Sequence, residues 1–194
     1  MRQKSLGGDL AGSPGSVRVL ATAALDAARR VLDSPALYSV LVDLRETALA
    51  RQPIRLRFGF QEVRRRLMRG DIVRVCWVDI DLDPPSIATG EVGTFGRRQL
   101  QKLASIPGLD FPPHRLDLDA LRLEPIDVLR LLEDRPSGIG PSLGNVELSL
   151  FRHGGRLAWR VLQDVGAAGF RTLYVDAGTG EVLLEKVDSG AAES

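Results

Sequence analysis

Three carboxylates alternate with apolar residues at Asp79, Asp81 and Asp83. On an extended chain that spacing sends all three from one face, an arrangement that suits a calcium or magnesium ion. The same spacing also reads as a solvated strand end before Pro84-Pro85, where grouped charge discourages edge pairing, and no glycine-bearing loop adds further oxygen ligands in register. Asp117 and Asp119 repeat the pattern with less around them. A second charged group, Arg64, Arg65 and Arg66 with Arg69 and Arg74 nearby, offers a contact for phosphate or an acidic loop. Without interleaved aromatic residues it reads as a solvated hairpin tip before the turn at Arg69-Gly70-Asp71 rather than as a nucleic-acid groove.

Other reactive side chains are scarce. A single cysteine, Cys76, and two histidines, His114 and His153, exclude an internal disulfide framework and leave little for imidazole or thiolate sites. Cys76 lies between Val75 and Trp77, where a buried thiol is expected, and neither histidine has a neighbour in sequence that would make it a base. Gly-x-Ser-x-Gly, His-Glu-x-x-His, phosphate-loop and dinucleotide-binding glycine patterns are missing, and Gly138-Ile139-Gly140 lacks the preceding strand the last would need. These observations predict no catalytic residue, no cofactor and no enzymatic activity. The chain carries 26 basic and 25 acidic residues for a formal charge of +1, so no overall field favours nucleic acid or an anionic membrane.

The elements that must position these residues follow from periodicity. With 194 residues the chain can bury roughly 70% of the surface exposed when unfolded. Residues 1–15 are polar, glycine-rich and aperiodic and read as a flexible arm, as do 188–194 at the other end. Residues 19–25, VLATAAL, have the makings of a weak secretory segment, but the apolar stripe continues through Ala28 and Val31 as a helix would. That helix is expected to start at an N-cap on Ser16 and end about Asp33, before Ser34-Pro35. Alternation then predicts strands through Tyr38, Val40, Val42 and Leu44, and through Ile54, Leu56, Phe58 and Phe60. A third strand, 72–82, is apolar on both faces and therefore central.

Residues 84–121 shift toward proline and glycine and read as a linker with a short helix over 97–105. Pro125 opens a second helix carrying Ile126, Leu129 and Leu132, which stops before Pro136. Strands are expected at 145–151, 156–163, 171–176 and 181–186, with His153-Gly154-Gly155 as one turn. Asp176-Ala177-Gly178-Thr179-Gly180 is another, Asp176 bonding back to backbone amides and a glycine taking positive φ. The fold class expected is α+β: two tandem helix-plus-antiparallel-sheet units, 16–83 and 122–187, joined by the linker. Trp77 and Trp159 fall mid-strand in the two halves and read as core anchors.

The second half resembles a PepSY domain on three features: the helix residues Ile126 to Leu132, the strand centre Trp159-Arg160-Val161, and the ending Tyr174-Val175-Asp176-Ala177-Gly178-Thr179-Gly180-Glu181-Val182. About a third of the chain is covered. The first half shares only the layout, Trp77-Val78-Asp79 being its nearest echo of that ending. The resemblance implies a cystatin-like helix on an antiparallel sheet and a non-catalytic binding module, since PepSY domains occur in propeptides of thermolysin-type peptidases and in envelope proteins. The expected function is protein binding that restrains or regulates a peptidase or envelope protein. Trp159, Tyr174, Asp176, Val182 and Leu184 are the candidate binding residues, and Asp79, Asp81 and Asp83 the candidate metal ligands. Recognition would use an exposed edge at 181–186 or the face opposite the helices. The partner is a protein of unknown identity, with neither nucleic acid nor a membrane span expected; the alternative is a self-associating cytoplasmic structural protein. Lack of a clear export signal favours the cytoplasm, whereas the resemblance implies an extracytoplasmic setting.

Overall fold

Two rows of apolar side chains cross six strands and define the core. Val78, Phe58, Val40, Leu150, Trp159 and Val175 lie opposite one another in one row; Ile80, Leu56, Val42, Leu148, Val161 and Leu173 form the next. All are buried. The computed structural model describes residues 3–5, 16–46, 51–65, 71–104, 114–133, 146–164 and 169–188. The elements are β1 (Gln3–Ser5), α1 (Val17–Ala28), β2 (Ala36–Glu46), β3 (Arg51–Arg64), β4 (Ile72–Leu82), β5 (Pro85–Thr89), β6 (Gly93–Phe95), α2 (Arg97–Ala104), α3 (Pro125–Glu133), β7 (Val146–His153), β8 (Arg156–Asp164), β9 (Phe170–Asp176) and β10 (Val182–Asp188). The strands form one antiparallel sheet in the order β1-β5-β4-β3-β2-β7-β8-β9-β10, with β6 beside β5 on the outer edge of β4.

Alternation explains why both rows face the same way, and α1 and α3 supply the apolar faces that cover them. Val17, Leu20, Ala24, Ala27 and Ala28 of α1 pack over β3, β4 and β5, and Val128, Leu129 and Leu132 of α3 complete the layer. Small residues on α1 let its backbone approach the large strand residues Phe58 and Phe60. The two helix starts are tied together. Ser16 donates to one Glu124 carboxylate oxygen at 3.0 Å, and the Val17 amide donates to the other at 2.8 Å. Glu124, just before α3, thus satisfies an amide at the start of α1 that the helix cannot bond internally. Ser16 is the N-cap residue, as expected, but its own side chain makes no capping bond.

Several expectations change. The helix stops at Ala28 rather than near Asp33, and tight turns carry the chain through Val31. Gln3–Ser5, expected in a flexible arm, pair with β5; residues 1–2 and 6–15 lie outside the described residues, as does 189–194. The stretch expected as linker contains β5 and β6 as well as the predicted short helix, α2. Pro85 is compatible with β5 because it is the strand's first residue, where proline is tolerated. β4 has buried residues on both faces, Cys76, Val78 and Ile80 toward the helices and Val73 away from them.

Candidate functional site

The acidic strand end is neutralised across the sheet. Register places Asp79 opposite Arg57 and Asp81 opposite Arg55. Arg57 Nε donates to Asp79 Oδ1 at 2.6 Å, and Arg55 Nε donates to Asp81, whose second oxygen accepts from Ser86 Oγ at 2.9 Å. The Arg55 guanidinium is the main reason the Asp81 carboxyl sits below its ordinary pKa, with burial opposing it and the Ser86 bond assisting. Asp83 follows β4 in an exposed turn. The expected cation site at Asp79, Asp81 and Asp83 is therefore corrected: Arg57 engages both oxygens of Asp79, and Arg55 and Ser86 take those of Asp81, so two of the three carboxylates are already satisfied within the protein. Among the described residues no group of three or more His, Cys, Asp or Glu side chains converges on a metal-sized space. The arginine cluster is likewise divided. Arg64 pairs with Asp33 and Glu62, and Arg74 donates to Glu62 and to the Val31 carbonyl. Residues 66–70, with Arg66, Arg69 and Gly70, lie outside the described residues.

The turn after β9 has the geometry its residue types predict. Asp176 Oδ1 accepts from the amides of Gly178 and Thr179, both at 2.9 Å, and Gly180 takes φ +79° while its amide donates to the Asp176 carbonyl. Burial pushes the Asp176 carboxyl up, but the Thr179 and Gly178 amides and the Arg156 charge outweigh it, and its pKa is lowered overall. The turn also anchors the second helix. Ala177 O accepts from the amides of Arg122 and Leu123, Trp159 Nε1 donates to Leu123 O at 2.9 Å, and a Cβ at Gly180 would meet Leu131 Cδ1 at 2.8 Å. Trp159 is 0% exposed and Asp176 is buried, so both leave the set of binding residues: Trp159 donates to the Leu123 carbonyl, and Asp176 accepts from two backbone amides and pairs with the Arg156 guanidinium.

Tyr174, Val182 and Leu184 are half-buried near one margin of the sheet. Among the described residues β10 pairs with β9 alone and ends the strand order, as expected for 181–186. Because the Asp176 amide donates inward to the Glu181 carbonyl, alternation turns the backbone of Val182 outward. Val187 beyond it is exposed. Tyr174 lies on the helix-free face, stacked with His153 at 4.4 Å and edge-on to Phe151 at 5.7 Å. A second aromatic pair on that face is Tyr38 with Trp77, ring centroids 5.6 Å apart, above Gly59. A Cβ at Gly59 would come within 2.8 Å of both rings, so glycine is what allows them to close over β3. Burial pushes the Tyr38 phenol up to about 12. Trp77 is thus not the counterpart of Trp159: one lies on the helix-free face and the other is enclosed under α3. Cys76 is fully buried, and burial raises its thiol to about 11 despite Arg74, so it is not a nucleophile at neutral pH.

A cleft that sequence reasoning did not anticipate lies on the helix side of the sheet. β2 and β7 pair only between Val40–Val42 and Leu148–Leu150, so pairing stops short of Ala36 on one strand and His153 on the other. Beside that gap is a cavity of about 760 Å³ between α1, the start of β2, residues 115–119 and the end of β7. Arg18 donates to the carbonyls of Leu118, Asp119 and Leu121, and Leu116 donates its amide to the Leu37 carbonyl, fixing the outer wall. No spacing in the sequence joins these four segments, and only the fold brings them together.

Among the described residues no helix is long and apolar enough to cross a membrane. No protein-family model matches this chain, and no curated protein matches it. Among solved structures, a candidate lipoprotein from Clostridium difficile 630 is similar, with a TM-score of 0.53 over 94% of this chain and 100% of that one, at 12% identity. At that identity the likeness is one of fold, and it accords with an α+β arrangement in which an antiparallel sheet dominates.

Proposed function

We propose that this chain is a non-enzymatic protein-binding module that recognises an extended segment of its partner by strand addition at β10. The observation that carries the reading is that, among the described residues, β10 is paired on one side only, which leaves the outward backbone of Val182 available to another strand. Leu184 and Tyr174, opposite each other in register, give an added strand apolar and aromatic side chains to select against. The strand order supports a duplicated layout. Outward from the β2–β7 pair, the second half runs through β8, β9 and β10 and the first through β3, β4 and β5, with β1 added beyond β5 and β6 beside it; a helix precedes each set, α1 before β2 and α3 before β7. Two PepSY-like units joined edge to edge would give this order, and the resemblance makes a peptidase or an envelope protein the partner class. Fold likeness to a candidate lipoprotein is compatible with an extracytoplasmic setting.

The test is selection of extended peptides against the immobilised full chain, followed by fluorescence anisotropy with the winners. Val182→Pro removes an outward amide without touching an inward bond, so it is expected to abolish binding while leaving the melting temperature nearly unchanged. Enriched peptides that bind this variant as well as the parent chain would refute recognition at β10. Sedimentation of the same two proteins addresses the alternative: a dimer of the parent chain that Val182→Pro disperses would favour self-association through the same edge.

A further inference from the structure

We infer that the cleft beside the β2–β7 gap binds a small amphiphilic monoanion, an acyl chain carrying a carboxylate head. Its size falls in the range of small-molecule sites: about 760 Å³, against roughly 300–1,000 Å³ for such pockets. Leu25, Leu37, Phe60 and Leu116 give it apolar walls from a helix, two strands and a loop, all held by core contacts or backbone hydrogen bonds. Against these four side chains, burial of an alkyl chain is rewarded in proportion to the area removed from water, while other parts of the lining are polar.

The charges on the lining specify the head. Among the described residues Arg115 is exposed and has no partner, and Arg152 uses only its Nε, donating to Gly155 O at 3.1 Å, which leaves its terminal nitrogens available. Arg18 adds a third positive charge that its carbonyl partners do not cancel. Asp117 and Asp119 are the opposing carboxylates, and Asp117 Oδ1 already accepts from the Asp119 amide. Three cations against two anions leave a surplus of one, which matches a monoanion better than a doubly charged phosphate. Guanidinium groups present planar pairs of donors that fit the two oxygens of a carboxylate. This site is separate from β10, so the two proposals stand or fall independently.

Isothermal titration of the full chain with dodecanoate, butanoate and dodecyltrimethylammonium, all below micelle formation, tests the inference. Dodecanoate is expected to bind saturably at one per chain, more tightly than butanoate, with the cationic amphiphile at least about tenfold weaker. Arg115→Glu should weaken dodecanoate about tenfold or more, the loss of one hydrogen bond to a charged group. Thr22→Trp, at an exposed lining position on α1, should block it by filling the cleft. Equal affinity for the anionic and cationic amphiphiles, equal affinity for the long and short carboxylates, or dodecanoate binding unchanged in both variants would each overturn the assignment.

Discussion

The two acidic regions of this molecule, the β4 strand end and the turn after β9, use the same side chain in opposite ways. Asp79 and Asp81 meet guanidinium groups across a strand pair on the helix-free face, while Asp176 meets backbone amides beneath a turn. Exposure decides what each contact is worth. The Asp79 side chain is 20% exposed and its Arg57 partner 44%, so on breaking that pair the guanidinium returns to water and the carboxylate keeps part of its hydration, which makes the cost small. The Asp176 side chain is only 12% exposed, and the amides it satisfies have no comparable alternative. A carboxylate paired with solvated side chains contributes mainly to register, whereas one that closes a buried turn contributes to stability.

Removing the Asp176 carboxylate should break this contrast most strongly. Asp176→Ala strands the Gly178 and Thr179 amides and loosens the turn whose Ala177 carbonyl holds Arg122 and Leu123. We expect a loss of about 2 kcal/mol in urea denaturation, against less than about 1 kcal/mol for Asp79→Ala. Equal losses would mean that the cross-strand ion pairs carry more of the fold than their exposure allows.

The same contrast marks how much the sequence discloses. The Asp176 turn was legible because its chemistry is local: an acceptor, two nearby amides and a glycine at positive φ all lie within five residues. Strands β2, β3 and β4 and the start of α3 at Pro125 were legible for the same reason, through alternation and a terminal proline. Pairs such as Arg57 with Asp79 depend on register between strands, which periodicity leaves open. Periodicity also showed that β4 is apolar on both faces without showing which face the helices cover, so Trp77 and Trp159 looked equivalent. β5 and β6 were hidden by Pro84, Pro85, Gly90 and Gly93, residue types that mark a linker unless an adjacent edge recruits them. The cleft was the least legible, since Arg18, Leu37, Arg115 and Arg152 come from separate segments that only the β2–β7 pairing aligns.

Acid should sharpen the comparison with a smaller effect. Asp176 and Asp81 both have lowered pKa values when folded, so each contributes stability that is fully present above its unfolded value, about 3.9. That contribution is lost as pH falls through the folded value, because the unfolded chain takes up the proton first. Asp176→Asn keeps an oxygen for the two amides but no longer titrates. The stability gap between this variant and the parent is therefore expected to be largest near pH 7 and to shrink below about pH 4. A gap that stayed constant down to pH 2 would show that the Asp176 carboxyl is not the group that titrates.

Salt supplies the smallest effect and separates the two regions by screening. The Arg57–Asp79 pair is open to ions, and at 1 M salt the Debye length is about 3 Å, close to the separation of the charges themselves. Asp79→Asn should therefore cost less than about 0.5 kcal/mol at low salt and close to nothing at 1 M. The Asp176 bonds to amides are shorter in range and shielded by the turn, so the difference between parent and Asp176→Ala should change little over the same range. Measuring both variants at the two salt concentrations gives a difference of differences in which general salt effects on the fold cancel. Parallel salt responses would mean that the Asp176 turn, too, is held chiefly by long-range charge through Arg156, whose terminal nitrogen lies 3.6 Å from the carboxylate, rather than by its two amides.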